Sequence, residues 1–544
     1  MKKITLLFCL FLFSTTLQAQ ILHQHKNYTK ADTLRGSLRP ERSNFDVLKY
    51  NLSVKVIPDK KYIEGVNSIT FKVLDKLPVM QLDLFENMKI DSIIFQGKKL
   101  TYRREFNAVF INFENPLQKK QQKKLDFYYS GKPVIAKNPP WDGGFIFTKD
   151  KNGKDWVSVA VQGTGASLWY PNKDHQSDEP EETEIHISAP SNLMAVSNGR
   201  LIDKKIIDEK FTQWNWKVKN PINNYNIILN IGDYIHFSET YNDLDLNYYV
   251  LSYNKEKAKK QFEQVQPMMD CFYEKFGAYP FAEDSYKLVE TPFLGMEHQS
   301  AVAYGNYYKN GYLGNDLSGT GVGLKWDFII IHESAHEWFG NSITASDIAD
   351  MWIHESFTSY AESVFVECEW GKKEALTYLK GLQRTVSNDA PIIGDYGVNK
   401  EGSGDMYYKG ANMLNTIRSV INDDKKWWSL LKDFSLSFKH KITNTAEVVS
   451  FFDTRTEENL TPIFNQYLRY AKLPAIEFKA EGKSIFYRWN VDAKNFEMPI
   501  DVFIVEEKQR LYPTSEWKKL KGKIELSNIN IDDRNFYVNT KKLR

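Results

Sequence analysis

At 544 residues, 42% of them hydrophobic, the chain exceeds the size at which a single hydrophobic core stops growing, so two or more domains are expected. Lysines and arginines number 71 against 69 aspartates and glutamates, and no segment sustains a long basic block. That removes the electrostatic footprint of a nucleic-acid binder; the densest basic patch, "KKQQKK" from Lys119 to Lys124, reads as a solvated loop.

In chain order, the opening "MKKITLLFCLFLFSTTLQAQ" has two lysines, a run from Ile4 to Phe13 that is apolar except for Thr5, then small and polar residues ending at Ala19 and Gln20. This is the layout of a secretory signal peptide over residues 1–19, cleaved near Ala19, and it predicts a periplasmic or extracellular destination. Its apolar core is too short to span a bilayer, which takes about 20 residues, and no later segment is long and apolar enough to serve as a transmembrane segment. Cys9 lies inside that core behind the bulky Phe8, not at a lipidation position. Removal of the leader leaves Cys271 and Cys368, one possible pair whose bonding the sequence leaves open, and neither in a metal-type spacing.

Between Phe45 and Phe237 short β-rich runs alternate with turn residues. "LKYNLSVKVIP" places Tyr50, Leu52, Val54 and Val56 on one face, the period of a half-buried strand; "VNSITFKVL", "MKIDSIIF", "ETEIHISAP", "FTQWNWKV" and "YNIILNIGDYIHF" continue the pattern and predict an antiparallel sheet domain over residues 20–240. From Lys255 the period becomes helical, with Ala258, Phe262, Val265, Met268 and Phe272 on one side of "EKAKKQFEQVQPMMDCFYEKFG". Helical patterning dominates a second domain, 241–472. Strands return in 473–544, enough for a small sandwich. There is no internal repeat, and the Gly-rich stretch from Asn310 to Gly323 lacks the ending of a phosphate loop.

"HESAHEWFGN", residues 332 to 341, holds the chemistry. On a helix, His332 and His336 project from one face a turn apart, and two imidazoles so placed can hold one Zn²⁺ at about 2.0 to 2.1 Å. Glu333 lies roughly 100° round from His332, where the general base for a metal-activated water belongs. A catalytic zinc takes a third protein ligand and keeps a position open. The metzincin continuation is excluded by Phe339 and Ser342. Nineteen positions beyond His336, "MWIHESFTSYAE" offers Glu355, with His354 as its rival. Glu362, seven residues on, either supports a ligand or faces solvent.

His-Glu-x-x-His-x-Trp-Phe-Gly-Asn followed by the glutamate of "WIHESFTSY" closely resembles the aminopeptidase N family of gluzincin peptidases, which includes the leukotriene hydrolase branch; the family pattern Trp-Leu-Asn-Glu-Gly-Phe stands here as Trp352 to Phe357. The resemblance implies one Zn²⁺ held by His332, His336 and Glu355, with Glu333 as base. "LGMEHQSAVAYG" is similar to the family's Gly-x-Met-Glu-Asn motif, with Leu294 and His298 as departures; it implies a substrate-binding strip of Gly295, Met296 and Glu297, the last anchoring a free α-amino group. "MYYKGANMLNTIR" resembles the segment whose tyrosine contacts the oxyanion, Tyr407 by register, with Tyr408 beside it. "VQGTGASLWYPNKDHQSDEPEE" is similar to the segment that contributes a glutamine to the amine, here Gln162, with a buried structural amide as the other reading.

The implied fold is a multidomain α+β arrangement: an N-terminal saddle-like antiparallel β domain, a thermolysin-like, mainly helical catalytic domain and a small C-terminal β-sandwich. Many family members continue into a large helical domain, and this chain stops before it, giving the expectation of a shorter, more open enzyme unless a partner subunit supplies the missing wall. The implied function is removal of N-terminal residues from peptides with a free amino terminus. The rivals are a peptide-binding scaffold of the same fold, an endopeptidase and an epoxide hydrolase. Nothing in the sequence states the oligomeric state.

Overall fold

The structure is a computed structural model that describes residues 28–522 and 524–543; the expected signal peptide, 1–19, lies outside the described residues. An eight-stranded sheet forms the N-terminal part, in the order 200–206, 211–218, 182–190, 45–57, 62–73, 122–131, 88–95 and 98–99. The alternation in the first long strand works as the sequence predicts: Tyr50, Leu52, Val54 and Val56 are all buried. One pairing departs from an all-antiparallel sheet, because Phe45–Ile57 runs parallel to Glu182–Pro190. The basic run from Lys119 is only partly loop; Gln122, Lys123 and Lys124 enter the strand Gln122–Gly131. A four-stranded sheet of Gly144–Lys149, Asp155–Ala160, Asn230–Gly232 and Met194–Val196 carries the chain toward the second part.

The last β run expected for the N-terminal domain, Tyr234–Tyr241, instead pairs antiparallel with Leu244–Leu251 and opens a five-stranded mixed sheet with Tyr286–Glu290, Val302–Tyr304 and Gly295–Met296. Period-2 alternation gives a strand but not its partner, and the hairpin fixes the partner. The helices of this part include α1 (Val265–Phe276), α2 (Phe328–Ala335), α3 (Trp352–Trp370), α4 (Lys372–Leu382) and α5 (Tyr408–Ile421), of which α2 packs on the strands Val302–Tyr304 and Gly295–Met296. The helical reading from Lys255 breaks at a 3-10 turn, Phe262–Gln264, before α1 begins. A disulfide between Cys271 on α1 and Cys368 on α3 settles the pairing the sequence left open. Among the described residues no helix is long and apolar enough to cross a membrane. The C-terminal residues form two small sheets, one on Ala475–Glu481 and Ser484–Asn490 and one on Ile500–Ile504.

α3 is the central element: every residue from Trp352 to Val366 is buried. It meets α5 at a glycine, since a Cβ on Gly410 would stand 1.9 Å from Ser356 Oγ. Ser356 in turn donates to the Met406 carbonyl at 2.6 Å, and buried Lys409 donates to the carbonyls of Tyr470 and Ala471 at 3.0 and 2.7 Å. The start of α5 is thereby held on both sides. Overpacking of this kind costs about 1–3 kcal/mol, so Gly410→Ala is expected to lower the thermal midpoint measurably, and adding Ser356→Gly to restore most of it in the same melting experiment.

Candidate metal centre and active site

Asp327 starts α2 by accepting the N–H groups of Ile329 and Ile330 at 3.1 and 3.4 Å, which satisfies donors that a helix start leaves free. The sequence suggests one helix from Gly323 to Asn341. The regular helix is shorter, because Asp327 caps it and the chain leaves it after His336: Phe339 has φ −119° and ψ 94°, and Gly340 has φ 131°. That kink returns the Phe339 carbonyl to His336 Nδ1, which donates to it at 2.9 Å, while Thr358 Oγ1 lies 3.1 Å from the same nitrogen. Glycine adopts such a φ without strain, and a Cβ here would press on His336 Nδ1 at 3.1 Å.

His332 is oriented from the other side. Its Nδ1 donates to Glu362 Oε1 at 2.7 Å, and Glu362 Oε2 accepts from the Tyr378 hydroxyl of α4, also at 2.7 Å. Glu362 is therefore a buried orienting carboxylate and not a solvent-facing acid. With both Nδ1 atoms engaged, both Nε2 atoms face Glu355 Oε2, at 3.8 Å for His332 and 3.5 Å for His336. The ligand atoms of all three residues lie within 4.8 Å of one another, and Glu355 Oε2 is buried without a hydrogen-bond donor. A buried carboxylate oxygen facing the Nε2 atoms of two imidazoles calls for positive charge between them, and two histidines with one glutamate form a zinc-type donor set. The residues fit a zinc ion. Burial, helped by the charge of His336, pushes His332 down to about 3 and keeps its lone pair available. Burial acts on His336 in the same sense, but Glu355 and Glu297 outweigh it and draw the imidazole up to about 10; a dication at Nε2 would take that proton's place. The rival His354 is turned away, its Nε2 accepting the Ala345 N–H at 2.8 Å.

A cavity of about 650 Å³ opens over this triad. Glu333 reaches it from α2. Its carboxylate, that of Glu297 and the His336 ring present atoms within 4.8 Å of one another. Burial, with the Glu297 charge adding to it, holds the Glu333 carboxyl well above the usual range. Among the described residues no protein group donates a hydrogen bond to Glu333, which leaves its lone pairs to the cavity. Gly295 lets its strand lie close, because a Cβ there would meet Ile329 Cγ2 at 2.8 Å and Glu333 Oε1 at 3.0 Å. Met296 packs on Ala160, Phe293 and Ala303. Glu297 Oε1 accepts from the Gln162 amide and from the Tyr225 hydroxyl, the latter at 3.1 Å. Gln162 thus lies in the cavity against Glu297. Tyr407 stands just before α5 with its ring 6.2 Å from that of His332 and its hydroxyl beside the Glu355 carboxylate; Tyr408 lines the cavity too.

Sequence reasoning missed Tyr225, Thr358, Tyr378 and the Asn341 amide that donates to the Glu297 carbonyl at 2.7 Å. Asn341 closes the quoted motif and could have been found there; Tyr225 and Tyr378 stand in no motif. The Peptidase family M1 domain matches residues 260–467 and the Peptidase M1 N-terminal domain matches 47–225, together well over half of the chain. The chain belongs to the M1 peptidase family. Among M1 relatives, a probable aminopeptidase 1 of Sulfurisphaera tokodaii is 21% identical over 83% of this chain and 58% of its own length, and aminopeptidase N of Lactobacillus helveticus 22% identical over 83% and 56%. The chain spans about half the length of the curated relatives it matches. An M1 zinc metallopeptidase from Deinococcus radiodurans shares the fold at a TM-score of 0.67 and 17% identity, covering 79% of this chain and 95% of its own.

Removing a carboxylate that orients a metal-binding histidine costs about 10–100-fold in metal affinity. Glu362→Ala is accordingly expected to lower zinc affinity by that factor in a chelator competition, while Glu362→Gln, which keeps an acceptor for His332, loses less.

Proposed function

We propose that the protein is a zinc-dependent aminopeptidase that hydrolyses N-terminal residues from peptides. The observation that carries the proposal is the placement of the Gln162–Glu297 pair beside Glu333 and the ligand triad: a buried carboxylate, with an amide and a phenol already turned toward it, at one end of the cavity. An ammonium group satisfies that carboxylate through charge-assisted hydrogen bonds. A peptide held there by its amino terminus presents its first peptide bond, and no later one, to Glu333.

His332, His336 and Glu355 would hold one zinc ion, which when bound supplies Lewis-acid polarisation of the scissile carbonyl and acidifies water. Glu333, with no protein donor on its carboxylate, takes the proton from the attacking water and returns it to the leaving nitrogen. The Tyr407 hydroxyl, already among the charges of the site, donates to the oxygen on which negative charge develops. Glu297 and Gln162 fix the amine, so the carbonyl is presented in one register.

The matching assay compares free and N-acetylated forms of one peptide. The free form is expected to be cleaved at its first bond, and acetylation to reduce kcat/KM by at least about a hundredfold, because Glu297 is then left buried and unpaired. Equal cleavage of both forms would remove Glu297 as an amine anchor and favour an endopeptidase. Glu333→Gln is expected to lose several orders of magnitude in kcat, and Tyr407→Phe about 10²–10³, the usual loss for one oxyanion donor.

We further propose export. The reading rests on the charged start, apolar core and small-residue end of residues 1–20, and gives a periplasmic or extracellular enzyme whose mature chain starts at Gln20. N-terminal sequencing of protein recovered from the native host is expected to begin there; an intact Met1 would overturn it.

A further inference from the structure

We propose that Trp141 forms the outer wall of the pocket for the first side chain of the peptide, and that this wall selects peptides beginning with a large apolar residue. The inference rests on the aminopeptidase reading and adds the class of substrate that reading leaves open.

The Cα of the first residue is bonded both to the amine, held at Glu297 and Gln162, and to the scissile carbonyl, held over the metal triad. Its side chain therefore leaves within a bond of the amine anchor, and the cavity wall beside that anchor receives it. That wall is carried by the Gln162 loop. Thr164, two residues beyond Gln162, donates through Oγ1 to the Asp142 carbonyl at 3.1 Å. The neighbouring loop is itself closed: the Trp141 N–H donates to the Asn138 carbonyl at 3.0 Å, and Asp142 Oδ2 accepts the N–H groups of Lys137 and Asn138 at 2.5 and 2.9 Å. The two loops touch at Gly143, which has φ 62° and where a Cβ would lie 2.2 Å from Thr164 Oγ1.

Trp141 stands at the tip of this pinned turn and lines the cavity together with Gln162, Met296 and Glu297. It is 69% exposed, and no other aromatic ring lining the cavity is exposed. A tryptophan is a large apolar surface that gains by being covered, and here the loop holds it where a substrate side chain, not a protein side chain, can cover it. Met296, buried and next to Glu297 in the chain, adds apolar lining to the same cavity. The larger the first side chain, the more apolar surface it has to lay on the indole, so leucine and phenylalanine gain more than alanine.

The test is kcat/KM on fluorogenic amides of alanine, leucine and phenylalanine for the zinc-loaded wild type, Trp141→Ala and Trp141→Phe. The wild type is expected to favour leucine and phenylalanine over alanine by about tenfold or more, the discrimination a hydrophobic pocket provides. Trp141→Ala is expected to lose about tenfold on those two substrates and to stay within about twofold on alanine, with Trp141→Phe keeping most of the preference. An equal fall on all three substrates, or no change on any, overturns the assignment of Trp141 while leaving the aminopeptidase reading in place. A wild type that turns over none of the three overturns both.

Discussion

The structure depends on a concentration of buried negative charge. Glu297, Glu333, Glu355 and Glu362 are all buried around two histidines, in surroundings where each ionised carboxylate is costly unless paired. Burial acts upward on all four; three end above the usual range, each raised further by the charge of another, Glu297 by Glu355, Glu333 by Glu297 and Glu362 by Glu355, while the His336 charge holds Glu355 below it. In its ionised form such a set needs cations to complete it. The geometry provides two places, the triad around Glu355 Oε2 for a dication and the Glu297 carboxylate for an ammonium. On the proposed reading, metal binding and selection of the peptide terminus answer a single electrostatic requirement.

The two places are built by different parts of the fold. The triad and its supports, Glu362, Tyr378, Thr358 and the Phe339 carbonyl, all come from the helical part. The surroundings of Glu297, the proposed amine anchor, are assembled across the interface with the N-terminal part, which supplies Gln162 and Tyr225. Asn341 links the two, donating to the Glu297 carbonyl and accepting from the Asn226 amide at 2.7 Å. Three glycines allow this convergence by the absence of a side chain: Gly340 turns the chain back onto His336, Gly295 brings its strand to Glu333, and Gly410 brings α5 to α3. The catalytic side chains can meet because the backbones carrying them approach closely.

What was legible in the sequence follows from this division. The spacing of His332, Glu333 and His336 is local, set by the helical repeat, so chemistry could be read from it; Glu355 followed from the need for a third ligand, with His354 separated from it by the family pattern. Glu362 stood open because helical position gives its face but not the neighbour, and the neighbour, His332, is thirty residues away. Gln162 and Tyr225 reach Glu297 over 135 and 72 positions, and no periodicity encodes such a contact. The end of the motif helix was missed for a different reason: the apolar pattern continues through Trp338 and Phe339, but Gly340 and the hydrogen bond to His336 take the chain out of the helix there. The strand Tyr234–Tyr241 was recognised as a strand and placed in the wrong sheet, since alternation is blind to partners.

The rim of the cavity shows how far such contacts extend. Arg35, on the short helix Lys30–Gly36, donates to the Gly163 carbonyl at 2.9 Å, next to Gln162. Gly36 lies against the backbone of Val398 and Asn399, so closely that a Cβ would stand 2.2 Å from the Asn399 nitrogen, and Asn399, which also lines the cavity, donates through its amide to the same Gly163 carbonyl at 3.5 Å. Arg42, fully buried, fixes this segment to the N-terminal part through Asp83 at 2.7 Å and the Asp174 carbonyl at 2.7 Å. One stretch near the start of the chain thereby packs against both the Gln162 loop and the 398–399 segment that meets it. The contacts of Arg35 and Arg42 fall outside the triad, so the segment touches the Gln162 loop and none of the metal ligands directly. A segment that supplies no ligand to the triad therefore borders the cavity beside Gln162, and on the proposed reading it bears on which peptides the site admits and not on the metal ligands.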